Sequence, residues 1–449
     1  MPEYLDRISK FCADLKYADL PVEVVQRAKE VIADSMAVIA AGAQEKEVLD
    51  LTARMNLGGG NAILLGSGKR TDPLNAALIN GTAGTFLELD EGNQFARGHP
   101  AIHVVPAVLA QAESEKLSGR DMILALVLGY EIGARIGIAA KIRMSMHPHG
   151  TWGTTGAAVA VGKLMGFDAR RFKELINVSS CLALATSRKT MLEGGTVRNV
   201  YSGVSNYMGV LAHHLTASGF TGEADGLGTV YGQVISETFN TAAMVEELGK
   251  RYEIARNYFK MHACCRYNHS TLDALEKIAR KLPDQRIPYN KVKAVEVKTY
   301  SLAAQLCDQN PKNMLAAKFS IPFAVATYLF HNDTSLACFR SDKVAELDIK
   351  ALAQKVTVSE DPALTAMMPS RRPSRVRVIM HDGSVLEGET FLNRGDFEDP
   401  YQREQLEEKY FSLASPVWGQ ETAESVYKCI GELDTLENAS TLTDLIAKP

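Results

Sequence analysis

From Asp19, the segment "DLPVEVVQRAKEVIADSMAVIAAG" sets apolar side chains at helical spacing through Val25, Ala28, Ile32 and Met36. An aspartate to cap it, Pro21 in the first turn and Gly42 as the stop predict a helix across this stretch. The same spacing recurs at residues 73–87, 103–115, 119–140, 152–165, 169–185 and 202–218. Several of these segments are rich in alanine and glycine, as in "GTTGAAVAVGKLMG". Small side chains let helix axes approach closely, so the first ~260 residues read as a compact helical domain.

The pattern changes after Asn290. "KVKAVEVKTY" alternates Val295, Val297 and Thr299 with Glu296, Lys298 and Tyr300, the period of a strand with one buried face. "SRVRVIMHDGSVLEGETF" supplies two more alternating runs around His381, Asp382 and Gly383, a hairpin signal because aspartate and glycine tolerate positive φ. Helical patterns at 317–330 and 342–354 lie between them, and after Pro400 only helix remains. The predicted fold is mainly α: a large all-α helical domain, discontinuous over residues 1–265 and 396–449, with a smaller α+β domain of residues 266–395 inserted.

A chain of 449 residues, 46 % hydrophobic and 23 % charged, is an ordinary globular composition for about two to three domains. Its net charge of −4, without a long run of one sign, argues against nucleic acid or an anionic membrane as partner. Acids and bases run through the amino terminus, "MPEYLDRISKFCADLKYADLP", and point to a cytoplasmic protein. The most apolar run, Met122 to Tyr130, is far short of the ~20 residues that span a bilayer and reads as a buried helix. Seven scattered cysteines do not make a disulfide framework, and adjacent Cys264 and Cys265 lack the spacing of a zinc or redox pair; no metal site is expected.

Four polar clusters carry candidate chemistry. "LELDEGNQFARGHPAIH" gathers Glu88, Asp90, Glu91, Arg97, His99 and His103, and "RMSMHPHGTWGTTG" gathers Arg143, His147, His149 and Thr151 at a helix start. Imidazole titrates near neutral pH and helix-terminal amides attract anions, so such segments suit a carboxylate held beside a general acid or base. "SRKTMLEGGTVRNVYSG" brings Arg188, Lys189 and Arg198 around paired glycines, while "NYFKMHACCRYNH" brings Lys260, His262, Arg266 and His269. Those cations suit an anionic substrate. GxGxxG after a strand, GxxxxGK[ST], HExxH and GxSxG are all missing from the chain, against nicotinamide, nucleotide, zinc-protease and serine-hydrolase readings.

Taken in order, these clusters make the chain similar to the MmgE/PrpD family, which includes 2-methylcitrate dehydratase, cis-aconitate decarboxylase and iminodisuccinate epimerase. The matching pieces are "LELDEG", "GHPAIHVVPAVLAQAE", "GRDMILALVLGYEIGARIG", "HPHGTWGTTGAAVAVGKLMGFD", "GGTVRNVYSGVSNYMGVLAHHLTASGFTG", "YFKMHACCRYNHSTLDAL" and "AAKFSIPFAVA". The resemblance implies a cofactor-free lyase, a dehydratase or decarboxylase, that moves a proton next to a carboxylate of a small di- or tricarboxylate. It also implies a homodimer whose α+β domain is a lid. An epimerase or isomerase using two opposed bases is the alternative, and a catalytically inactive protein of the same fold is a third reading.

By position, the resemblance makes His99 and His147 the acid/base pair, with Asp90 or Glu88 orienting His99 and Lys260 as a further catalytic group. Arg143, His149, Thr151, Arg198 and Arg266 are the expected substrate-binding residues. The chain departs from the family where "ELDEG" stands for the common "DFDDT", leaving Gly92 in place of a threonine. His149 stands where threonine is usual, Arg198 where lysine is frequent, and Ile321 where decarboxylase-like members carry tyrosine. A guanidinium binds a carboxylate bidentately but is a poorer proton donor than an ammonium.

Overall fold

The computed structural model describes residues 2–55 and 57–447, so the expected domain limits at residues 1 and 449 lie outside the described residues. More than half of the chain is helical and the sheets are small, which makes the fold mainly α. The chain divides into two compact units: Met1–Arg188 with Asn199–Asn257 and Gln402–Pro449, and Lys189–Arg198 with Tyr258–Tyr401.

The first unit is built of helices, among them Val22–Gly42, Pro73–Phe86, Val105–Ser114, Gly119–Ala139, Gly153–Leu164, Tyr201–Ala217 and Arg403–Trp418. The first begins later than its aspartate signal. Asp19 instead closes a 3-10 turn, Tyr17–Asp19, and accepts the Lys16 N–H at 2.8 Å, while Pro21 is the residue before the first helical turn. The segment expected to be helical to residue 185 stops at Ser180. Gly119–Ala139 is longer than the apolar run that betrays it; its 21 residues have the length and composition to cross a membrane, yet nearly all are buried among other helices.

That helix carries Gly129, Gly133 and Gly137 on one face, four residues apart. A Cβ on Gly129 would lie 2.6 Å from the carbonyl oxygen of Gly156, and one on Gly156 would lie 2.9 Å from that of Gly129. The helices Gly119–Ala139 and Gly153–Leu164 therefore touch backbone to backbone. This close approach sets the start of the second helix, and with it the preceding loop that carries His147 and His149.

The second unit contains a four-stranded sheet of β1 (Val292–Thr299), β2 (Val356–Glu360), β3 (Ser374–Met380) and β4 (Val385–Thr390), in the order β4-β3-β1-β2. Strand β1 pairs parallel to β2 and antiparallel to β3, setting Val295 opposite Val378 and Val297 opposite Val376 on the buried face. The β3–β4 hairpin turns at Gly383, where φ is 87°. The helix expected over 317–330 is broken in two, because the Ser320 hydroxyl accepts the Phe323 N–H at 2.9 Å and Pro322 opens a new first turn for Ile321–His331.

Candidate active site

Beyond the helix Pro73–Phe86 the chain enters a left-handed conformation at Glu88, with φ 57°, and again at Arg97, with φ 56°. Side chains other than glycine are disfavoured there by of order 1 kcal/mol, so the loop between them is held by other contacts. The Asn93 side chain accepts the N–H groups of Phe95 and Ala96, both at 2.9 Å, and its main chain bridges to Gly98. The Arg97 guanidinium donates to the Ala140 carbonyl at 2.7 Å. From the helix Arg403–Trp418, Lys409 donates to the Leu89 carbonyl at 2.8 Å while paired to Asp34 at 2.5 Å. Glu88, Asp90 and Glu91 are all buried as a result.

Glu91 braces this loop. Its Oε1 accepts the Ala101 N–H at 2.7 Å and its Oε2 accepts the Tyr130 hydroxyl at 3.1 Å. Burial outweighs those donors and pushes the Glu91 carboxyl up to about 8. An acid raised in this way favours the native state fully below the pH at which the unfolded chain ionises. That advantage is lost as pH rises from the ordinary carboxylate range towards 8. Glu91→Gln keeps an acceptor for Ala101 and offers Tyr130 an amide, imitating the protonated acid. Denaturation midpoints measured at about pH 5 and about pH 9 should show wild type losing a few kcal/mol more than E91Q between them. Parallel pH profiles for the two proteins would contradict the assignment.

Four imidazoles gather in the first unit. The His149 ring lies 4.8 Å from that of His99, 4.8 Å from that of His103 and 4.7 Å from that of His147, edge to face in each case. All four are buried, His99 the least at 8 % exposed and His149 at 1 %. Thr186 clamps the loop by placing its hydroxyl 2.7 Å from the His147 carbonyl and 2.9 Å from the His149 carbonyl.

Hydrogen bonds give the two leading rings opposite tautomers. His99 Nδ1 donates to the Glu91 carbonyl at 2.6 Å, and an Asp90 carboxylate oxygen stands 3.0 Å from the same nitrogen. In neutral His99 the lone pair is therefore on Nε2. His147 Nδ1 instead accepts the His149 N–H at 3.0 Å, which puts the proton of neutral His147 on Nε2. His103 donates from Nδ1 to the His99 carbonyl at 2.8 Å and takes the Gly150 N–H at Nε2, 3.4 Å away, so it fixes the other rings in place.

The structure thus brings Asp90, His99, His147 and His149 together, and buries Glu88 and Thr151 in the same unit. The Thr151 hydroxyl donates to the Pro148 carbonyl at 2.5 Å. Arg143 is differently engaged: its guanidinium donates to the carbonyls of Gln233 and Val234 at the protein surface. Arg198, Lys260 and Arg266 belong to the second unit and are buried there. Arg198 lies over the Phe319 ring at 5.2 Å. Arg266 pairs with Asp396 at 2.7 Å and donates to His269 Nδ1 at 2.9 Å; burial, and next this guanidinium, hold His269 well below the ordinary imidazole range. Glu91 and His103 stand in the polar cluster of the sequence but receive no role from the resemblance, and Tyr130 is marked by neither. The four-residue spacing from His99 to His103, one helical turn, was the available signal for His103.

Residues 6–238 match the MmgE/PrpD N-terminal domain and residues 262–434 the MmgE/PrpD C-terminal domain. The chain belongs to the MmgE/PrpD family. It is 26 % identical to the cis-aconitate decarboxylase of Aspergillus terreus (strain NIH 2624 / FGSC A1156) over 471 aligned positions, covering 98 % of this chain and 95 % of the relative. It is 25 % identical to the human cis-aconitate decarboxylase, covering 97 % of this chain and 92 % of that protein. A cis-aconitate decarboxylase-like protein, oryM, of Aspergillus oryzae is 24 % identical with 98 % and 96 % covered. The imidazole cluster lies within the span of the MmgE/PrpD N-terminal domain, and Lys260 lies between the two MmgE/PrpD spans.

Proposed function

We propose that this chain is a lyase of the decarboxylase kind, acting without a cofactor on a small di- or tricarboxylate by proton transfer next to a carboxylate. The observation that carries this reading is the pair of opposite tautomers on His99 and His147 within one buried cluster. Membership of a family whose matched relatives are cis-aconitate decarboxylases supports it.

Breaking the bond to a departing carboxylate leaves an electron pair that conjugation can spread onto a neighbouring carboxylate. A proton must then be placed on carbon. His147, bearing its proton on Nε2, is the donor; His99, with its lone pair on Nε2 and Asp90 beside Nδ1, is the acceptor that exchanges protons at the α carbon. An Asp90 carboxyl oxygen stands 3.0 Å from His99 Nδ1, across the ring from that lone pair.

The test is incubation of the purified protein with cis-aconitate, citrate, methylcitrate and aspartate-derived diacids in deuterated water, followed by mass spectrometry of the product. A product lighter by carbon dioxide and carrying solvent deuterium on carbon is expected. A product that keeps every atom of the substrate and is heavier only by the deuterium it has taken up would make the protein an isomerase instead, and no conversion of any acid would remove the reading.

A further inference from the structure

We infer that Lys409 is a positioning residue: by holding the Leu89 carbonyl it keeps the Asp90 carboxyl group against the His99 ring, an inference that rests on the decarboxylase reading of the same site. Lys409 stands on the helix Arg403–Trp418, 320 residues along the chain from Leu89. The buried residues of that helix are Lys409, Tyr410, Leu413 and Ala414, so the lysine shares the stripe that packs inward. Lysine is seldom buried without a specific partner. Here the ammonium has two: Asp34 of the helix Val22–Gly42 at 2.5 Å and the Leu89 carbonyl at 2.8 Å. The first contact ties two helices together. The second reaches the acidic loop.

Leu89 lies between Glu88 and Asp90, and its carbonyl belongs to the planar peptide that leads into Asp90. Anchoring that oxygen fixes the plane of the peptide, and so the direction in which the Asp90 side chain leaves the backbone. The loop needs such an anchor because Glu88, one residue earlier, sits in the left-handed region at φ 57°. Leu89 is buried, so its carbonyl, deprived of the ammonium, is a buried acceptor that drives the peptide to turn towards another donor. Asp90 meets His99 through this peptide. One of its carboxyl oxygens is 3.0 Å from Nδ1, the nitrogen that also donates to the Glu91 carbonyl at 2.6 Å. Two consecutive residues therefore hold one edge of the ring and leave Nε2 for the proton. Rotation of the Leu89–Asp90 peptide withdraws one of the two holds and lets the ring swing.

The experiment uses the full-length protein. Lys409→Met alone strands the Asp34 carboxylate in the interior, a change that can unfold a protein by itself. The decisive variant is therefore the double Asp34→Asn/Lys409→Met, with Asp34→Asn as its control. In protein labelled with ¹⁵N at histidine, the His99 Nδ1 proton is identified by its loss in His99→Asn. Its signal should move upfield in the double variant and stay in place in Asp34→Asn, where the ammonium still holds Leu89. With cis-aconitate as substrate, kcat per folded molecule should fall about ten- to a hundredfold in the double variant with KM held within roughly twofold. Asp34→Asn should keep the wild-type kcat within roughly twofold. An unmoved His99 signal in the folded double variant would overturn the inference, as would an unchanged kcat. So would an equal loss in Asp34→Asn, because it would trace the effect to the ion pair. The signal needs no substrate: should wild type convert no acid, the decarboxylase reading falls, and the His99 proton still decides whether Lys409 sets Asp90 in place.

Discussion

Replacing His99 by asparagine should lower turnover by about a thousandfold and abolish exchange of the substrate's α hydrogen with deuterated water, while the melting temperature stays within a few degrees of wild type. The asparagine amide can take over the donation from His99 Nδ1 to the Glu91 carbonyl, the contact that ties residue 99 to its loop. What it lacks is a lone pair where Nε2 stands, and with it a basic nitrogen to receive the substrate's proton. Rate is therefore lost without loss of the brace. General acid–base groups contribute roughly a hundred- to ten-thousandfold, and His99 falls in the middle of that range because His147 and the surrounding charges are untouched. Undiminished exchange in H99N would remove His99 from the chemistry and leave its contact with Asp90 as a structural one.

Much of this arrangement could be read from the chain. Alternation in "KVKAVEVKTY" corresponds to β1, because one face of that strand is buried against apolar neighbours and the other is wet. The strand β2 gave no such signal: Thr357, Ser359 and Glu360 are polar and the strand lies at the sheet edge, so backbone pairing to β1 decides its conformation. The break before Ile321 was written in "FSIP", where a serine cap followed by proline outweighs the helical spacing on either side.

For the site, the HP histidines and their acidic loop were legible as clustered chemistry. The cluster's depth was not, since it depends on which way the loop from Glu88 to Arg97 folds. Arg143 shows the limit clearly. Its place in a polar segment suggested a substrate partner, but two carbonyls at the end of a neighbouring helical segment, Leu227–Val234, claim its guanidinium. A sequence shows that a charge is present without showing where its long side chain will point.

The alanine- and glycine-rich segments make a stability prediction whose sign runs against intrinsic preference. In an exposed helix, Gly→Ala stabilises by roughly 1 kcal/mol because alanine restricts the unfolded backbone. At Gly129, inside the helix Gly119–Ala139, the new methyl would lie 2.6 Å from the Gly156 carbonyl oxygen, 2.7 Å from the Ala160 methyl and 2.9 Å from Val104. The nearest obstacle is helix backbone, which moves only if the two helices part. Gly129→Ala should therefore destabilise by about 1–3 kcal/mol, and Gly129→Val, with two further methyl groups to place, by more. Catalysis should suffer beyond the loss of folded protein. The helix displaced by the clash begins at Gly153, where a Cβ would already sit 2.2 Å from the His103 ring, and its preceding loop carries His147 and His149. Urea midpoints and residual turnover of G129A and G129V check both parts. A G129A protein as stable as wild type, or more so, would mean that these helices can separate without cost and that the glycine face does not set the position of the imidazoles.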